Sequence, residues 1–180
     1  MSQLVKFGIV LGIICLIATL VLAVTYEFTK PKIEAQLKQE ESSALKAVMP
    51  NADSFSEKSV EGIDYFEALK GDALVGYCVR ALGTGYNGRI RMIVGIDTEG
   101  VIKGIEVLEQ YETPGLGSRI NEIRPGAKDP WFLRQFKGKL AATVMLNKDI
   151  DAITGATISS KAVTYAVRDT VKDFLDKVKR

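Results

Sequence analysis

The chain lacks histidine and has few cysteines, and these shortages exclude several kinds of chemistry. With no histidine among its 180 residues, imidazole is unavailable as a metal ligand, a haem ligand or a general base. Zinc hydrolysis and catalytic triads therefore lose their usual components. Its 2 cysteines are too few to supply the full set of thiolates that an iron–sulfur cluster needs. Any redox chemistry must be carried by a bound group.

The chain also lacks a strong charge of either sign. Its 24 Lys and Arg residues are scattered among 22 Asp and Glu residues, and the formal net charge is +2. Nucleic-acid binding favours a concentrated basic face with interleaved aromatic residues. We therefore expect no nucleic-acid partner. The length is that of one folded domain with an appendage.

One long apolar run, Phe7 to Val24, lies near the N-terminus. As a helix it extends about 27 Å, close to the hydrocarbon thickness of a bilayer, and it predicts one transmembrane helix. Tyr26 and Phe28 follow at the place where interfacial aromatic residues gather. The alternative is a signal peptide cleaved near Ala23, but the run is long for such a segment and we favour an uncleaved anchor.

The apolar run divides the chain into three predicted parts. Residues 1–29 form a membrane anchor, residues 30–50 a connecting helix and residues 51–180 a folded domain. The connecting helix is indicated by spaced apolar residues among Glu, Gln and Lys, and Pro50 ends it.

The middle of the chain predicts strands separated by glycine-containing turns. The predicted strands are Tyr65–Leu69, Ala73–Ala81, Ile90–Ile96 and Val101–Leu108. Helices flank these strands instead of alternating with them, so the expected fold class is α+β, an antiparallel sheet flanked by helices. Asp129–Phe136 predicts a short amphipathic helix, and Ala141–Leu146 predicts a further strand.

Two smaller features of this region have simple interpretations. Gly83–Gly88 lies between two strands and lacks the Gly-Lys-Ser/Thr ending of a phosphate loop, so it predicts a glycine-rich hairpin. Cys78 is interpreted as a buried small hydrophobic residue.

The C-terminal segment joins a hydroxyl-rich loop to an amphipathic helix. Asp151-Ala-Ile-Thr-Gly-Ala-Thr-Ile-Ser-Ser160 leads into residues 161–180, where apolar positions recur at helical spacing and the last turn is basic through Lys177, Lys179 and Arg180. Unpaired N–H groups at such a junction can face a phosphate. Local chemistry alone favours the simpler interpretation of the hydroxyl residues as helix caps.

A second loop, Glu112-Thr-Pro-Gly-Leu-Gly117, is also rich in turn residues. Pro-Gly favours a tight turn, and the glycines let backbone amides approach a planar ligand closely. From chemistry alone, an ordinary surface turn is the simpler interpretation.

Taken together and in this order, the motifs resemble one protein family. Asp151–Thr157 is similar to the flavinylation motif Asp-x-x-(Ser/Thr)-Gly-Ala-Thr of the FMN-binding domains in the G subunit of the Rnf electron-transport complex. The related C subunit of the sodium-translocating NADH:quinone oxidoreductase carries a similar motif. Glu112–Gly117 and Gly85–Gly88 also resemble segments of that family.

The resemblance implies a covalently bound flavin, FMN. In the family the last Thr of the motif is joined through its hydroxyl to the FMN phosphate, and motif order maps this residue onto Thr157 and not Thr154. A Thr at a helix N-terminus suits a phosphoester, because the hydroxyl is exposed near groups that tolerate negative charge. The implied maturation partner is a magnesium-dependent flavin transferase that uses FAD. Thr154, Gly155 and Ala156 are expected to lie at the bound cofactor. The small residues Gly155 and Ala156 would also leave room for the transferase, which we expect to recognise Asp151.

The same resemblance assigns the second loop to the flavin. Thr113, Gly115 and Leu116 are the expected contacts, while Glu112 either hydrogen-bonds the ring system or holds the loop. Lys161 lies one helical turn after the attachment residue, but a solvated surface role is the preferred interpretation. No residue is expected to act as an acid–base catalyst or to bind a metal.

The implied function is electron relay. The chain would be a membrane-anchored flavoprotein subunit of an Rnf-type complex, in which electron flow between ferredoxin and NAD is coupled to sodium or proton movement. Its partners would be the other membrane subunits, and it would have no independent catalysis. Two alternatives are a flavin-relay subunit of a sodium-translocating quinone reductase or other extracytoplasmic electron chain, and a non-redox membrane-tethered assembly or ligand-binding module.

The orientation in the membrane follows from the resemblance and not from charge. Lys30, Lys32 and Lys38 after the span, against Lys6 before it, lean weakly toward a cytoplasmic domain. Members of the family carry the flavin domain on the outer side of the cytoplasmic membrane. We therefore expect a single-pass protein of the inner membrane whose C-terminal domain is periplasmic.

Overall fold

The computed structural model describes residues 3–178. The predicted basic helix end at Lys179 and Arg180 lies outside this range. The elements in chain order are α1 (Gln3–Val48), β1 (Ser54–Val60), β2 (Ile63–Lys70), β3 (Ala73–Thr84), β4 (Arg89–Ile96), β5 (Ile102–Glu109), α2 (Trp131–Arg134) and α3 (Thr157–Val178). Short 3₁₀ helices lie at Gly117–Asn121 and Ala141–Thr143.

The first helix, α1, is unbroken over 46 residues and includes Pro31. The predicted anchor and the predicted connecting helix are therefore parts of one helix. Its segment Val5–Val48 is long and apolar enough to cross a membrane, by length and composition. Three threonine hydroxyls in this helix donate to the carbonyl oxygen four residues earlier, each at 2.8 Å, which satisfies their polar atoms: Thr19, Thr25 and Thr29.

The chain divides into two compact units, Met1–Glu40 and Glu41–Arg180. The second unit begins within α1, before the boundary predicted at residue 51. The last two turns of α1 thus belong to the folded domain, and the reason lies in their packing.

Five strands form a single antiparallel sheet in the sequential order β1-β2-β3-β4-β5. The predicted α+β class is confirmed, and so are the four predicted strands, with boundaries shifted by a few residues. The additional edge strand β1, Ser54–Val60, was not predicted, because most of its residues are polar and exposed. This strand is an edge strand in which Phe55 and Val60 pack against the apolar clusters while the residues between them are polar, so it shows no alternating apolar pattern.

The predicted strand at Ala141–Leu146 is wrong. Its first three residues form a 3₁₀ helix, and Leu146 makes only an isolated bridge with Ile150. Ala141 donates its N–H to the carbonyl of Gly100, so the segment is tied to a turn of the sheet. The apolar residues Ala141, Val144 and Leu146 are buried because the loop covers the core, which a strand pattern does not distinguish.

Helix α3 covers one face of the sheet. The apolar stripe predicted for it is buried, with Val163, Val167, Val171 and Phe174 at 0% exposure. The Phe174 ring lies 4.9 Å from that of Tyr65, centroid to centroid. The predicted helix at Asp129–Phe136 is confirmed in the shorter form Trp131–Arg134, and Phe132 and Phe136 enter the same core.

The end of α1 covers the opposite face of the sheet. Three of its residues and the residue after it are buried against that face in a second apolar cluster: Ala44, Leu45, Val48 and Met49 with Phe66, Ala68, Cys78 and Ile93. The helix approaches the strands closely because Gly95 and Gly104 have no side chains. A Cβ at Gly95 would lie 2.9 Å from the Val48 carbonyl oxygen, and one at Gly104 would lie 3.0 Å from the Val48 Cα.

Cys78 lies in this second cluster with no exposed surface. Its predicted role as a buried small residue is confirmed. Burial raises the pKa of the Cys78 thiol to about 12.

Candidate functional site

The three glycine-rich or hydroxyl-rich segments singled out in the sequence lie next to one another. They are the β3–β4 hairpin (Gly85–Gly88), the loop after β5 (Glu112–Gly117) and the loop that precedes α3 (Ile153–Ala156). The hairpin is confirmed by the hydrogen bond from the Gly85 N–H to the Gly88 carbonyl at 2.8 Å.

Glu112 is a buried carboxylate, 5% exposed, that joins its own loop to the β3–β4 hairpin and to the first turn of α3. The backbone N–H of Asn87 donates to its Oε1 at 3.0 Å, and that of Tyr86 donates to its Oε2 at 3.2 Å. The Ser159 hydroxyl, in the first turn of α3, also donates to Oε2. Burial by itself raises the pKa of Glu112, but the hydrogen bonds from Ser159, Asn87 and Tyr86 outweigh it and hold this pKa below the usual 4.5.

Two glycines make the close approach to Glu112 possible. A Cβ at Gly85 would collide with the Glu112 carboxylate. A Cβ at Gly117 would lie 2.5 Å from the Ser159 Oγ and 2.6 Å from the Glu112 Oε2. Neither position has room for a side chain, so the sequence pattern of these two loops reflects packing around one buried charge.

The loop before α3 is closed by the buried hydroxyl of Ser160. This hydroxyl accepts from the Ile153 N–H at 3.0 Å and donates to the Ala156 carbonyl at 2.9 Å, while the Ala156 N–H donates to the Ile153 carbonyl at 2.9 Å. Gly155 takes the left-handed conformation, φ +80°, which favours glycine. These features fix the course of the chain into Thr157, the first residue of α3.

The hydroxyl-bearing positions of this loop are open to solvent. Thr154, Gly155 and Thr157 are exposed, whereas Ala156 is buried at 6% exposure. The first N–H groups of a helix have no acceptor within the helix, and the aligned peptide dipoles place partial positive charge there. The Thr157 side chain therefore stands at the positive end of a helix of 22 residues.

The second loop adjoins the first. Gly115, with φ +75°, donates its N–H to the Ser118 Oγ at 3.0 Å, and the Leu116 N–H donates to the Thr113 carbonyl at 3.1 Å. Thr113, Gly115 and Leu116 are exposed. A Cβ at Gly155 would lie 3.3 Å from the Leu116 Cδ2, so the two loops touch.

Asp151 has a fixed backbone and an exposed side chain. Its N–H donates to the Gln135 Oε1 at 2.8 Å, and its carbonyl accepts from the Gln135 Nε2 at 3.3 Å. The carboxylate is thereby presented at the surface at a defined position before the loop.

An open apolar groove of about 430 Å³ runs beside the start of α3. It is lined in part by Leu82, Ile158 and Tyr165, large side chains that are 53%, 52% and 39% exposed. Lys161 lines the same groove and is exposed. The groove thus offers an apolar surface that includes Ile158, the residue after Thr157.

Sequence reasoning did not single out Ser159, Gln135 or the backbone donors of Tyr86 and Asn87. Ser159 stands two residues after Thr157, but a serine there has no signal that separates a buried partner from an exposed cap. Gln135 acts across 16 residues of sequence, and a glutamine near a short helix carries no distinctive pattern.

Comparisons with known proteins identify the family of the chain. Residues 85–172 match the FMN-binding domain family, and residues 1–48 match the RnfG N-terminal region. The crystal structure of the C subunit of the Na(+)-translocating NADH-quinone reductase from Parabacteroides distasonis is similar, with a TM-score of 0.53 and 25% identity, over 66% of this chain and 63% of that chain.

Two curated relatives match over most of their length. Over 168 residues the chain is 33% identical to the G subunit of the proton-translocating ferredoxin:NAD(+) oxidoreductase complex of Clostridium ljungdahlii, covering 90% of this chain and 86% of that protein. Over 193 residues it is 31% identical to the G subunit of the Na(+)-translocating ferredoxin:NAD(+) oxidoreductase complex of Acetobacterium woodii, covering 93% and 89%. These matches confirm the resemblance predicted from the motifs, and the chain belongs to the family of FMN-binding G subunits of ion-translocating Rnf oxidoreductase complexes.

Proposed function

We propose that this chain is the flavin-bearing electron relay of an Rnf-type complex, held in the cytoplasmic membrane by α1. The match to the FMN-binding domain family and the relation to G subunits of ferredoxin:NAD(+) oxidoreductase complexes support the proposal. Bound FMN supplies a centre that accepts and donates electrons singly or in pairs. The chain's own residues attach this group, orient it and shield it.

The observation that carries the proposal is the position of Thr157, whose exposed side chain begins a helix of 22 residues. In the proposed attachment, the Thr157 Oγ forms a bond to the FMN phosphorus of FAD. The bond between the FMN and AMP phosphates breaks, and the hydroxyl proton leaves with AMP. The N–H groups of the first helical turn would stabilise the negative charge of the resulting phosphodiester.

The neighbouring residues of this loop fit an attached FMN. Gly155 and Ala156 carry no bulk toward the Thr157 hydroxyl, so a second protein can reach it. Thr154 is exposed on the same loop and would line the phosphate. We assign Asp151 to recognition by the flavin transferase, because its carboxylate is exposed while Gln135 fixes its backbone.

The second loop is proposed to contact the flavin ring through Thr113, Gly115 and Leu116, which are exposed beside Gly155. Leu116 offers an apolar face, and the backbone of the turn offers polar groups. Glu112 already accepts from two backbone N–H groups and from Ser159. This supports the alternative in which Glu112 holds the loops and does not bind the ring.

Within the proposed complex, this chain would work with other membrane subunits. Electrons would pass between ferredoxin and NAD with coupled sodium or proton movement, the partners would be other membrane subunits, and the flavin domain would lie on the periplasmic side. A flavin relay in a quinone reductase is the nearest alternative. The higher identity and coverage of the G-subunit relatives favour the Rnf assignment.

Covalent attachment is tested by co-expressing the chain with a flavin transferase, followed by denaturing electrophoresis, in-gel flavin fluorescence and peptide mass mapping. We expect a fluorescent wild-type band, its complete loss in Thr157→Ala, and reduced but detectable fluorescence in Thr154→Ala. Thr154→Ala serves as the matched control because it removes the other exposed hydroxyl of the loop. Undiminished labelling of Thr157→Ala would remove the site assignment, and a dark wild-type band with an active transferase would remove covalent attachment altogether.

A further inference from the structure

We infer that Glu112 and Ser159 form a buried positioning pair that presents the Thr157 hydroxyl to the flavin transferase in a defined orientation. The inference rests on the proposed attachment at Thr157 and deepens it. Neither residue of the pair would touch the incoming FAD. Both would act through the conformation of the first turn of α3.

Ser159 ties the first turn of α3 to the rest of the domain. It is 2% exposed and lies two residues after Thr157, and its hydroxyl donates to the Glu112 Oε2. Glu112 is in turn held by the N–H groups of Tyr86 and Asn87 in the β3–β4 hairpin. The first helical turn is therefore anchored to two loops through one carboxylate.

The contact leaves little freedom for alternative arrangements. Gly85 and Gly117 pack so closely on the pair that a single added carbon at either position would collide with it. A buried carboxylate that loses a hydrogen-bond donor has an unsatisfied acceptor oxygen. The residues next to it must then shift to supply another donor. Removing the Ser159 hydroxyl should therefore loosen the turn that begins with Thr157.

Ser160 holds the other side of the attachment residue. Its hydroxyl bonds within the loop, to the Ile153 N–H and the Ala156 carbonyl, and it makes no use of the Glu112 carboxylate. Two consecutive serines thus hold the same junction, Ser160 through the loop that precedes α3 and Ser159 through the loop that contains Glu112. Such bracketing is expected where an exposed hydroxyl must be held in place by buried neighbours.

The expected consequence is kinetic. Transfer of a phosphoryl group to a hydroxyl needs the attacking oxygen in line with the leaving group, and loss of orientation lowers the rate of the bound complex. Gln135 holds the backbone of Asp151 and Ser160 holds the loop that contains Thr154, so removing the Ser159 hydroxyl leaves the hydrogen bonds of this transferase-facing surface in place. The pair should therefore affect kcat of flavin transfer and leave KM for this chain nearly unchanged.

The test uses the full-length chain in detergent with a purified transferase, Mg²⁺ and FAD, and it measures initial rates of labelling over a range of chain concentrations. We expect Ser159→Ala to lower kcat by about tenfold with KM unchanged. Thr164→Val is the matched control, because Thr164 is a buried hydroxyl of the same helix that donates to the Ser160 carbonyl at 2.8 Å and not to Glu112. It should label at the wild-type rate.

Glu112→Gln supplies an independent variant, and it should lower kcat in the same direction. Glu112 and Ser159 act through one contact. The decrease in kcat of the double variant, Glu112→Gln with Ser159→Ala, should therefore be smaller than the product of the two single decreases. The inference would be overturned if Ser159→Ala kept the wild-type kcat, if its kcat fell no more than that of Thr164→Val, or if only KM changed. Labelling of the wild type at Thr157 would still support the proposed function in each of these cases. No labelling of the wild type would overturn both.

Discussion

Glu112 and Glu106 are carboxyl groups of the same domain whose pKa values are displaced in opposite directions. Hydrogen bonds outweigh burial at Glu112 and lower its pKa below 4.5. At Glu106 burial, followed by the charge of Asp129, raises the pKa above 4.5. The two residues therefore link protonation to stability with opposite signs.

We expect Glu112→Gln to lower the free energy of unfolding by about 1–3 kcal/mol at neutral pH, because buried donors then face a group with fewer acceptor sites. The folded-state pKa of Glu112 lies below the unfolded value of 4.5, so the carboxylate stabilises the fold fully above that value. This contribution is lost as the pH falls through the folded-state pKa. Urea unfolding at about pH 7 and about pH 3 should therefore show a smaller difference between wild type and variant in acid.

Glu106→Gln is the matched control, since it makes the same chemical change at a carboxyl whose pKa is raised. The charged form destabilises the fold above the folded-state pKa, so this variant should be more stable than the wild type at neutral pH. The advantage should vanish below the unfolded value of 4.5, where both states are protonated. If the stability differences of the two variants from the wild type had the same sign and the same dependence on pH, the opposite pKa shifts of Glu112 and Glu106 would be contradicted.

The sequence predicts the loop-to-helix junction at Thr157 better than it predicts the hydrogen bonds of Glu112 that hold this junction. The loop-to-helix junction at Thr157 follows from capping chemistry and hydrophobic spacing, which are local. The surroundings of Glu112 do not, because its partners lie 26 residues before it in Tyr86 and 47 residues after it in Ser159. Nothing in the loop itself reveals whether the carboxylate faces a ligand or its own domain.

Among the secondary-structure elements, the end of α1 has the least expected role. Its residues Ala44, Leu45 and Val48 are buried on the sheet, and Glu41 pairs with Arg80 at 2.7 Å. The same helix is exposed throughout residues 31–40. One continuous helix thus contains a segment that belongs to the domain and a segment that does not.

A fragment that begins at Glu41 should accordingly be much more stable than one that begins at Asn51. Removing residues 41–50 exposes an apolar cluster on the sheet, and each large side chain in it contributes about 1.5–3 kcal/mol by burial. We expect the shorter fragment to melt at a lower temperature and to bind more of a hydrophobic dye. The measurements are thermal unfolding by circular dichroism and dye fluorescence.

A third fragment, beginning at Pro31, provides the control. Residues 31–40 are exposed, so this extension should add little to the stability of the fragment that begins at Glu41. Equal melting temperatures for the fragments that begin at 41 and 51 would show that the helix end is dispensable.

The elements that sequence reasoning missed have a common cause. β1 is a polar edge strand that is held by pairing with β2, and the loop at 141–146 is apolar because it covers the core. In both cases tertiary position, and not local periodicity, determines the conformation. The strands β2 to β5 and α3 carry their burial pattern in the sequence and were predicted correctly.

For the whole molecule, the open proposal is the side of the membrane on which the domain lies. Lysines after the span favour the cytoplasm weakly, whereas the proposal that follows from the resemblance is the outer side. We expect a C-terminal fusion to alkaline phosphatase, which is active only outside the cytoplasm, to show full activity. A C-terminal fusion to a fluorescent protein that matures only in the cytoplasm should stay dark. The reverse pair of results would place the flavin domain in the cytoplasm and remove the periplasmic assignment.

Burial of Cys78 has a consequence for the thiol reactivity of the folded domain. A thiol with a pKa of about 12 and no exposed surface forms almost no thiolate at neutral pH, so it neither cross-links copies of the chain nor reacts with external disulfides. The folded domain consequently needs no reducing agent for handling. Cys78 should also not react with alkylating probes while the domain is folded. A single cysteine introduced at an exposed loop position would therefore be labelled without competition from Cys78.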